Sequence, residues 1–214
     1  AESGFMSLTG HPHQEPLRTA IPMVDVSTGL TGGVGVLAAL FHRKRTGQGQ
    51  FLEAPLFDTG FAQTGLHSTG YMLDGSVPER VGNNDYFQAP VGRYLCEDGE
   101  IAIAVETDTQ FVGLCLALGM AAEDRWATNA GRVADRAALD RALSAALAVL
   151  TQLEVLVALQ AAGVPCHEAR AIPEAFADSA AAAMLDSIPH PDIGEAPNMP
   201  SPMILHGTPA RDPV

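Results

Sequence analysis

The sequence has few basic residues and no long apolar run. Twelve Lys and Arg stand against 25 Asp and Glu, which gives a formal net charge of -13. Surfaces that bind nucleic acid need clustered cations, so a phosphate-backbone partner is excluded. Glycines interrupt the richest apolar stretch, which ends at Phe41, and a basic cluster follows it. No membrane span is therefore expected.

Cysteine is also scarce in this chain. Cys96, Cys115 and Cys166 are odd in number and widely spaced, which fits neither a disulfide framework nor a zinc site. We expect reduced, mostly buried thiols. His11 and His13 have no partner at metal-ligand spacing, so no metal site is predicted. The amino terminus lacks the basic and then apolar order of a signal peptide, which favours a cytoplasmic location.

The hydrophobic content indicates an ordered globular chain, since 47% of the 214 residues are hydrophobic. Residues 1–75 predict a loop followed by a glycine-rich helix, a strand and a second helix. The predicted bounds are Thr28–Arg45 for the first helix with Ser27 or Thr28 as N-cap, Gln50–Ala54 for the strand, and Pro55–Leu73 for the second helix.

Residues 76–92 contain many turn-forming residues without periodicity, which predicts a linker. Residues 93–190 predict a small α+β domain, and residues 191–214 an extended return segment. The predicted small domain begins with a hairpin of Arg93–Cys96 and Ile101–Val105. Its helices are predicted at Gln110–Leu118, Ala134–Leu150, Gln152–Ala162 and Pro173–Ala177, with an extended piece at Val164–Glu168 and a Pro-rich exit from Ile188.

Asp25 is the acidic residue that stands at the entry of the glycine-rich helix. The dipole and the free N–H groups at a helix N-terminus stabilise an anion there. On position alone, simple capping of the helix is the more economical interpretation. The surrounding segments change that interpretation.

Several short segments follow one another in a family-specific order. They are Gly4–Gly10, Ile21–Asp25, Gly35–Arg43, Thr46–Gln50, Leu56–Asp58, Arg80–Asn83, Asp98–Gly99, Gln110–Phe111, Arg125–Asn129 and Ala162–Cys166. In this order the chain resembles the family III CoA-transferases, which include formyl-CoA and carnitine CoA-transferases and, as a relative, α-methylacyl-CoA racemase. The resemblance covers nearly all of this sequence and about half of a family chain, so we expect a fragment.

The resemblance implies an α/β fold, with residues 1–75 forming part of a Rossmann-like large domain beside the small α+β domain. It makes Asp25 the catalytic nucleophile, which forms a mixed anhydride and then a thioester. CoA thioesters would be substrates, with no permanently bound cofactor, and a small carboxylic acid would be the acceptor. Family members form interlocked homodimers, so part of the first helix should be poorly covered here. The fragment alone should be inactive.

Further site residues follow from the resemblance, each with a simpler alternative. Asn83 and Asn84 replace a glycine-rich active-site loop, although turn formation explains Asn83 as well. Asp108 stands where relatives carry an acid that acts as acid/base or contacts substrate. Arg43 and Arg45 are candidates for CoA phosphate contacts, yet cations are favoured at a helix C-terminus in any case.

Two other functions stay open at this point. A racemase would use Asp25 to move a proton at the α-carbon of a 2-methylacyl-CoA. A non-catalytic subunit would leave the chemistry to a partner chain. The segment Val24–Gly29 resembles transferases more than racemases, so CoA transfer is the preferred hypothesis.

Overall fold

The structure, a computed structural model, describes residues 1–199 and 201–208. Contacts divide the chain into two units, Ala1–His167 and Glu168–Val214. The first unit contains helices α1 (Met23–Thr46), α2 (Leu56–Ala62), α3 (Gly65–Asp74), α4 (Asp108–Ala117), α5 (Asn129–Ala134), α6 (Arg136–Leu147) and α7 (Gln152–Ala161), with 3-10 turns at Phe5–Leu8 and Asp124–Trp126. Its strands are β1 (Val91–Leu95) and β2 (Glu100–Ala104), and β3 (Cys166–Glu168) lies at the boundary. The second unit contains α8 (Ile172–Phe176), α9 (Ser179–Ala182), β4 (Asp186–His190) and β5 (Gly194–Asn198).

Helix α1 begins at Met23 and runs for 24 residues. The predicted start near Thr28 is wrong, because Pro22 stands directly before the helix, where its missing N–H costs nothing. The Thr28 hydroxyl does not cap the helix, since it donates to a carbonyl of the first turn (2.7 Å). At the other end, Gly47 has a φ of 76°, the left-handed conformation that commonly closes helices.

One side of α1 is apolar and exposed within this chain. Leu30, Val34, Leu37 and Phe41 recur at helical spacing, and between 64% and 68% of each residue is exposed. The helix is therefore poorly covered, as the sequence predicts. By length and composition α1 could cross a bilayer, as could α6 and α7 as a bent pair, so the expectation of no membrane span is not confirmed.

The segment after α1 differs from the prediction in two places. Gln50–Ala54 is not a strand, since no other segment of the described chain pairs with it. The predicted second helix is interrupted between α2 and α3. There the Thr64 hydroxyl donates to the Phe61 carbonyl (2.7 Å), a local bond that competes with the helical hydrogen-bond pattern.

The three-stranded sheet has the order β1-β2-β3, and its hairpin confirms the predicted pairing of β1 with β2. Asp98 and Gly99 form the turn, and the Cys96 N–H donates to the Gly99 carbonyl (2.7 Å). Helices α4 and α7 both start with capping boxes. Buried side chains of the sheet and of α4, α6 and α7 form one core, which includes Ile101, Ile103, Phe111, Leu114, Leu139, Leu143, Leu147, Val155 and Leu159.

The helix predicted over Ala134–Leu150 is α6, which spans Arg136–Leu147, and the short helix α5 that precedes it was not predicted; α5 ends and α6 begins on either side of Asp135. The Asp135 carboxylate accepts a hydrogen bond from the indole N–H of Trp126 (3.0 Å) and pairs with Arg125 (2.9 Å). Asp135 has a φ of -112° and a ψ of 29°, outside helical values. These side-chain contacts with the preceding 3-10 turn accompany the break.

All three cysteines are buried and free, as predicted. Burial raises the pKa of each thiol. They therefore act as apolar core residues, since a thiol is reactive only as the thiolate.

The second unit confirms the helix near Pro173 and corrects the extended exit predicted from Ile188. Strands β4 and β5 form an antiparallel hairpin. Each strand carries a proline, which a two-stranded hairpin accepts because each strand has an unpaired edge. Pro200 and residues 209–214 of the predicted return segment lie outside the described residues. The domain boundaries predicted from the sequence stay predictions.

Candidate active site

Asp25 lies in the first turn of α1, with an exposed side chain. The first N–H groups of a helix have no partner inside it, so this end stabilises an anion. Asp25 lines a cleft of about 300 Å³ together with residues from the loop before the helix. The lining residues are Ala1, Phe5, Met6, Thr9, Arg18, Thr19, Pro22, Met23, Val24 and Asp25. The carboxylate is thus one wall of a small, mainly apolar cleft.

A glycine of α2 lets this helix approach the start of α1. Gly60 is buried, and a methyl group on it would lie 2.7 Å from Ser3 Oγ and 3.3 Å from Val24 Cγ1. Val24 directly precedes Asp25, and Ser3 is itself buried. The contact therefore fixes the first turn of α1, and with it the backbone that carries the carboxylate.

We expect Gly60→Ala to lower the free energy of unfolding by about 1–3 kcal/mol, because the added methyl group overpacks the contact with Ser3 and Val24. Gly70 of α3 is the matched control, since a methyl group there meets no atom within 4 Å. Gly70→Ala should stabilise the protein slightly, by up to about 1 kcal/mol. Denaturant unfolding measures both changes, and equal effects of the two variants would contradict the tight contact.

The predicted active-site loop lies in the segment 76–92, and it is attached to the loop before α1 that lines the Asp25 cleft. The Arg80 guanidinium donates to the Ser7 carbonyl (3.3 Å) and to the Gln14 carbonyl (2.5 Å). Two residues later, the Gly82 N–H donates to the Gly10 carbonyl (3.1 Å). Gly10 follows Thr9, which lines the Asp25 cleft, so these three bonds hold the loop next to that cleft.

The two asparagines of this loop have different surroundings. Asn83 is exposed and directly follows Gly82. The Asn84 amide donates to Asp140 Oδ2 (3.4 Å), and Asp140 Oδ1 accepts from the Tyr94 hydroxyl (2.9 Å). Burial and the charge of Asp140 raise the pKa of Tyr94, so this hydroxyl remains a donor. Asn84 therefore anchors the loop to α6 and β1, and Asn83 is the one whose side chain faces solvent.

Asp108 lies in a separate cluster around a buried cation. Its carboxylate pairs with Arg132 (2.8 Å), which is fully buried, while the Asp108 side chain is 55% exposed. Arg132 also donates to the carbonyls of Ala89 (2.6 Å) and Trp126 (3.0 Å). Its guanidinium stacks 4.5 Å from the centroid of the Phe111 ring. Asp108 is not among the residues that line the Asp25 cleft, and its role as an acid/base or substrate contact stays a prediction.

Arg43 and Arg45 lie at the opposite end of α1 from Asp25. Eighteen residues separate Asp25 from Arg43, which at 1.5 Å per residue is roughly 27 Å along the helix. Arg45 is 5.8 Å from the Phe41 ring centroid, and both arginines are exposed. The structure therefore does not bring these cations together with Asp25.

Two arginines, one in the Asp25 cleft and one in the core, were not predicted from the sequence. Arg18 lines the Asp25 cleft, but in the sequence it is an isolated cation in a loop. Arg132 is the buried cation, but nothing in the sequence distinguishes it from a surface residue of an Ala-rich helix. Over residues 1–199 and 201–208, no group of His, Cys, Asp or Glu side chains could hold a metal ion.

Comparison with known proteins identifies the family. The profile of CoA-transferase family III matches residues 1–213. The chain belongs to this family. The succinate–glutarate CoA-transferase of Agrobacterium fabrum is 31% identical over 214 residues, 98% of this chain and 54% of that protein. The succinyl-CoA–L-malate CoA-transferase beta subunit of Chloroflexus aurantiacus is 31% identical over 209 residues, 94% of this chain and 52% of that protein.

A solved structure supports the same family assignment. The crystal structure of a CAIB/BAIF family protein from Brucella suis is 31% identical and superposes with a TM-score of 0.75. It matches 97% of this chain and 55% of that chain. This family III chain therefore spans about half the length of the proteins that it matches. Its mixed helix and strand architecture confirms the predicted fold class, and relatives named as CoA-transferases do not favour the racemase alternative.

Proposed function

We propose that the polypeptide containing this chain transfers CoA from an acyl-CoA donor to a carboxylic acid, with Asp25 as the acyl-carrying nucleophile. The observation that carries the proposal is the position of Asp25 in a family III chain. It lies in the first turn of α1, where it lines a cleft large enough for a small acid. The carboxylate makes no capping hydrogen bond to any residue that the structure describes, so its interaction with the helix dipole leaves it available for catalysis.

The proposed reaction has four steps in which the Asp25 carboxylate is consumed and regenerated. It attacks the thioester carbonyl of the donor, giving a mixed anhydride and CoA thiolate. The thiolate attacks the aspartyl carbonyl, which releases the donor acid and leaves an aspartyl thioester. The acceptor carboxylate attacks this thioester to form a second anhydride and free thiolate again. The thiolate then attacks the acceptor carbonyl, which gives the new acyl-CoA and free Asp25.

In these steps the chain orients the nucleophile and excludes water from the anhydride. A carboxylate is a weak nucleophile, so its orientation must supply much of the rate, and the Gly60 contact fixes the turn that bears it. The anhydride must be kept from water, and the cleft has apolar walls that include Phe5 and Met6. Asn83 faces solvent on the loop that Arg80 holds next to the cleft, where its amide can donate to an oxyanion or to the acceptor carboxylate.

We propose dicarboxylic acids as the substrate class. The two relatives named above act on succinate, glutarate and L-malate by name, all of which carry two carboxyl groups. CoA thioesters enter as substrates, without a resident cofactor. Arg43 and Arg45 stand at the far end of α1, so they would meet CoA phosphates only if CoA extends along this helix.

We also propose that the active enzyme is a homodimer in the cytoplasm. The exposed apolar side of α1 supports association, because such a surface needs cover from the rest of the polypeptide or from a second subunit. One relative is named as a beta subunit, so a heteromeric assembly is the alternative arrangement.

The direct test of function is a CoA-transfer assay with the full-length polypeptide. Succinyl-CoA and glutarate should yield glutaryl-CoA and succinate in equal amounts, with little free CoA. Chromatography of the CoA species measures succinyl-CoA, glutaryl-CoA and free CoA, and a second separation of the organic acids measures succinate. Release of free CoA without glutaryl-CoA would indicate a hydrolase and contradict the proposal. Deuterium uptake at the α-carbon of a 2-methylacyl-CoA in heavy water, without transfer, would instead indicate a racemase.

A further inference from the structure

Among the described residues that line the Asp25 cleft, Arg18 is the one with a basic side chain. It is exposed, and in the part of the chain that the structure describes it forms no ion pair with Asp25 or with any other carboxylate. Other arginines of this acidic chain do pair with carboxylates, namely Arg93, Arg125, Arg132 and Arg170. The Arg18 guanidinium is therefore free to meet an anion that enters the cleft.

The remaining polar groups of the cleft are directed to the backbone. The Thr9 hydroxyl donates to the Met6 carbonyl (3.0 Å), and the Thr19 hydroxyl donates to the Ile21 carbonyl (2.9 Å). Most of the other lining side chains are apolar. The cleft thus offers a ligand one carboxylate, one guanidinium and a hydrocarbon wall. Because Arg18 and Asp25 share this space without pairing, a small molecule can lie between them.

We propose that Arg18 binds the distal carboxylate of a dicarboxylic substrate whose other carboxyl group reacts at Asp25. This inference rests on the proposed function and names the residue that selects its substrates. A guanidinium binds a carboxylate through two parallel hydrogen bonds, which fixes direction as well as affinity. A short methylene chain would then lie along Phe5 and Met6. When the donor acyl-CoA binds, the cation would also offset the repulsion between its distal carboxylate and the Asp25 carboxylate.

The test is an internal competition between two acceptors of equal length, glutarate and pentanoate, with succinyl-CoA as donor and the full-length enzyme. Both acceptors attack the same enzyme thioester, so the product ratio gives the ratio of their kcat/KM values independently of the donor step. Arg18→Met should lower the glutarate:pentanoate ratio by roughly 10- to 100-fold, the worth of charged hydrogen bonds to a carboxylate. The pentanoate constant should stay unchanged, and Arg18→Lys should lose only part of the ratio. Arg141→Met is the charge-matched control, since Arg141 is exposed on α6, and it should leave the ratio unaltered.

The outcomes separate this inference from the proposed function. If Arg18→Met lowers both constants equally, Arg18 supports the fold or contacts CoA, and the inference is overturned. It is also overturned if the wild-type enzyme uses pentanoate as well as glutarate. If the wild-type enzyme transfers CoA to neither acid, the proposed function fails first and the inference fails with it.

Discussion

Asp25→Asn should lower CoA transfer by roughly 10³-fold or more, because an amide cannot form the anhydride that every later step requires. The fold should persist, since the side chain is exposed and asparagine is well accepted near a helix start. The free energy of unfolding should fall by no more than about 1 kcal/mol, the usual worth of an acid in the first turn of a helix. Steady-state transfer rates and denaturant unfolding measure the two effects.

The matched control for this variant is Asp58→Asn. Asp58 is also an exposed acid in the first turn of a helix, α2, but it does not line the Asp25 cleft. Its replacement should leave transfer within a few-fold of wild type and cost a similar small amount of stability. If Asp25→Asn retains full activity, with the side chain verified as asparagine by mass spectrometry, Asp25 is only an acid in the first turn of α1 and is not the nucleophile.

Arg132→Met should lower the free energy of unfolding by about 2–4 kcal/mol. Methionine fills much of the same volume, but it leaves the buried carbonyls of Ala89 and Trp126 without these hydrogen bonds. It also removes the charge that stacks on Phe111 and pairs with Asp108. Denaturant unfolding gives the change, and circular dichroism checks that the variant is folded at the start.

Two comparisons make the Arg132 prediction specific. Arg141→Met, on the exposed side of α6, should change stability by less than about 0.5 kcal/mol. Asp108→Asn should cost about 1 kcal/mol, because the Asp108 side chain is half exposed and asparagine can still accept a hydrogen bond from Arg132. Equal losses for Arg132→Met and Asp108→Asn would show that the ion pair, and not the bonds to the carbonyls, carries the stability.

The elements that the sequence predicted well are those that local chemistry determines. The β1-β2 hairpin follows from Asp98-Gly99 between two apolar stretches, and α7 follows from its apolar spacing. Asp25 could be selected because its neighbours resemble one family over most of the chain. The signals for the hairpin and for α7 lie within a few residues of the elements that they predict.

The predictions that were wrong depended on contacts with distant segments or on proline chemistry. Gln50–Ala54 has the composition of a strand but no pairing partner within residues 1–199 and 201–208. The predicted start of α1 is too late, because a proline such as Pro22 can stand directly before the first turn of a helix.

Side-chain partners were the hardest features to foresee. Arg132 lies 43 residues from the Ala89 carbonyl that it binds, and Asn84 lies 56 residues from Asp140. Such contacts have no periodicity and no spacing rule. Arg18 joins the cleft because the loop between Gly10 and Ile21 folds back on itself, where the Leu17 N–H donates to the Thr9 carbonyl (2.9 Å). The spacing of residues in the sequence does not reveal that geometry.

The most direct measurement of the central claim is chemical trapping of Asp25 during turnover. The full-length enzyme is incubated with donor acyl-CoA and hydroxylamine, digested, and examined by mass spectrometry. Attack of hydroxylamine on an aspartyl anhydride or thioester replaces the carboxyl group with a hydroxamate, and the peptide that contains Asp25 should carry this modification. The modification should require donor acyl-CoA and should be absent from Asp25→Asn. An unmodified Asp25 peptide from an enzyme that transfers CoA, or a hydroxamate at another acidic residue, would contradict the account.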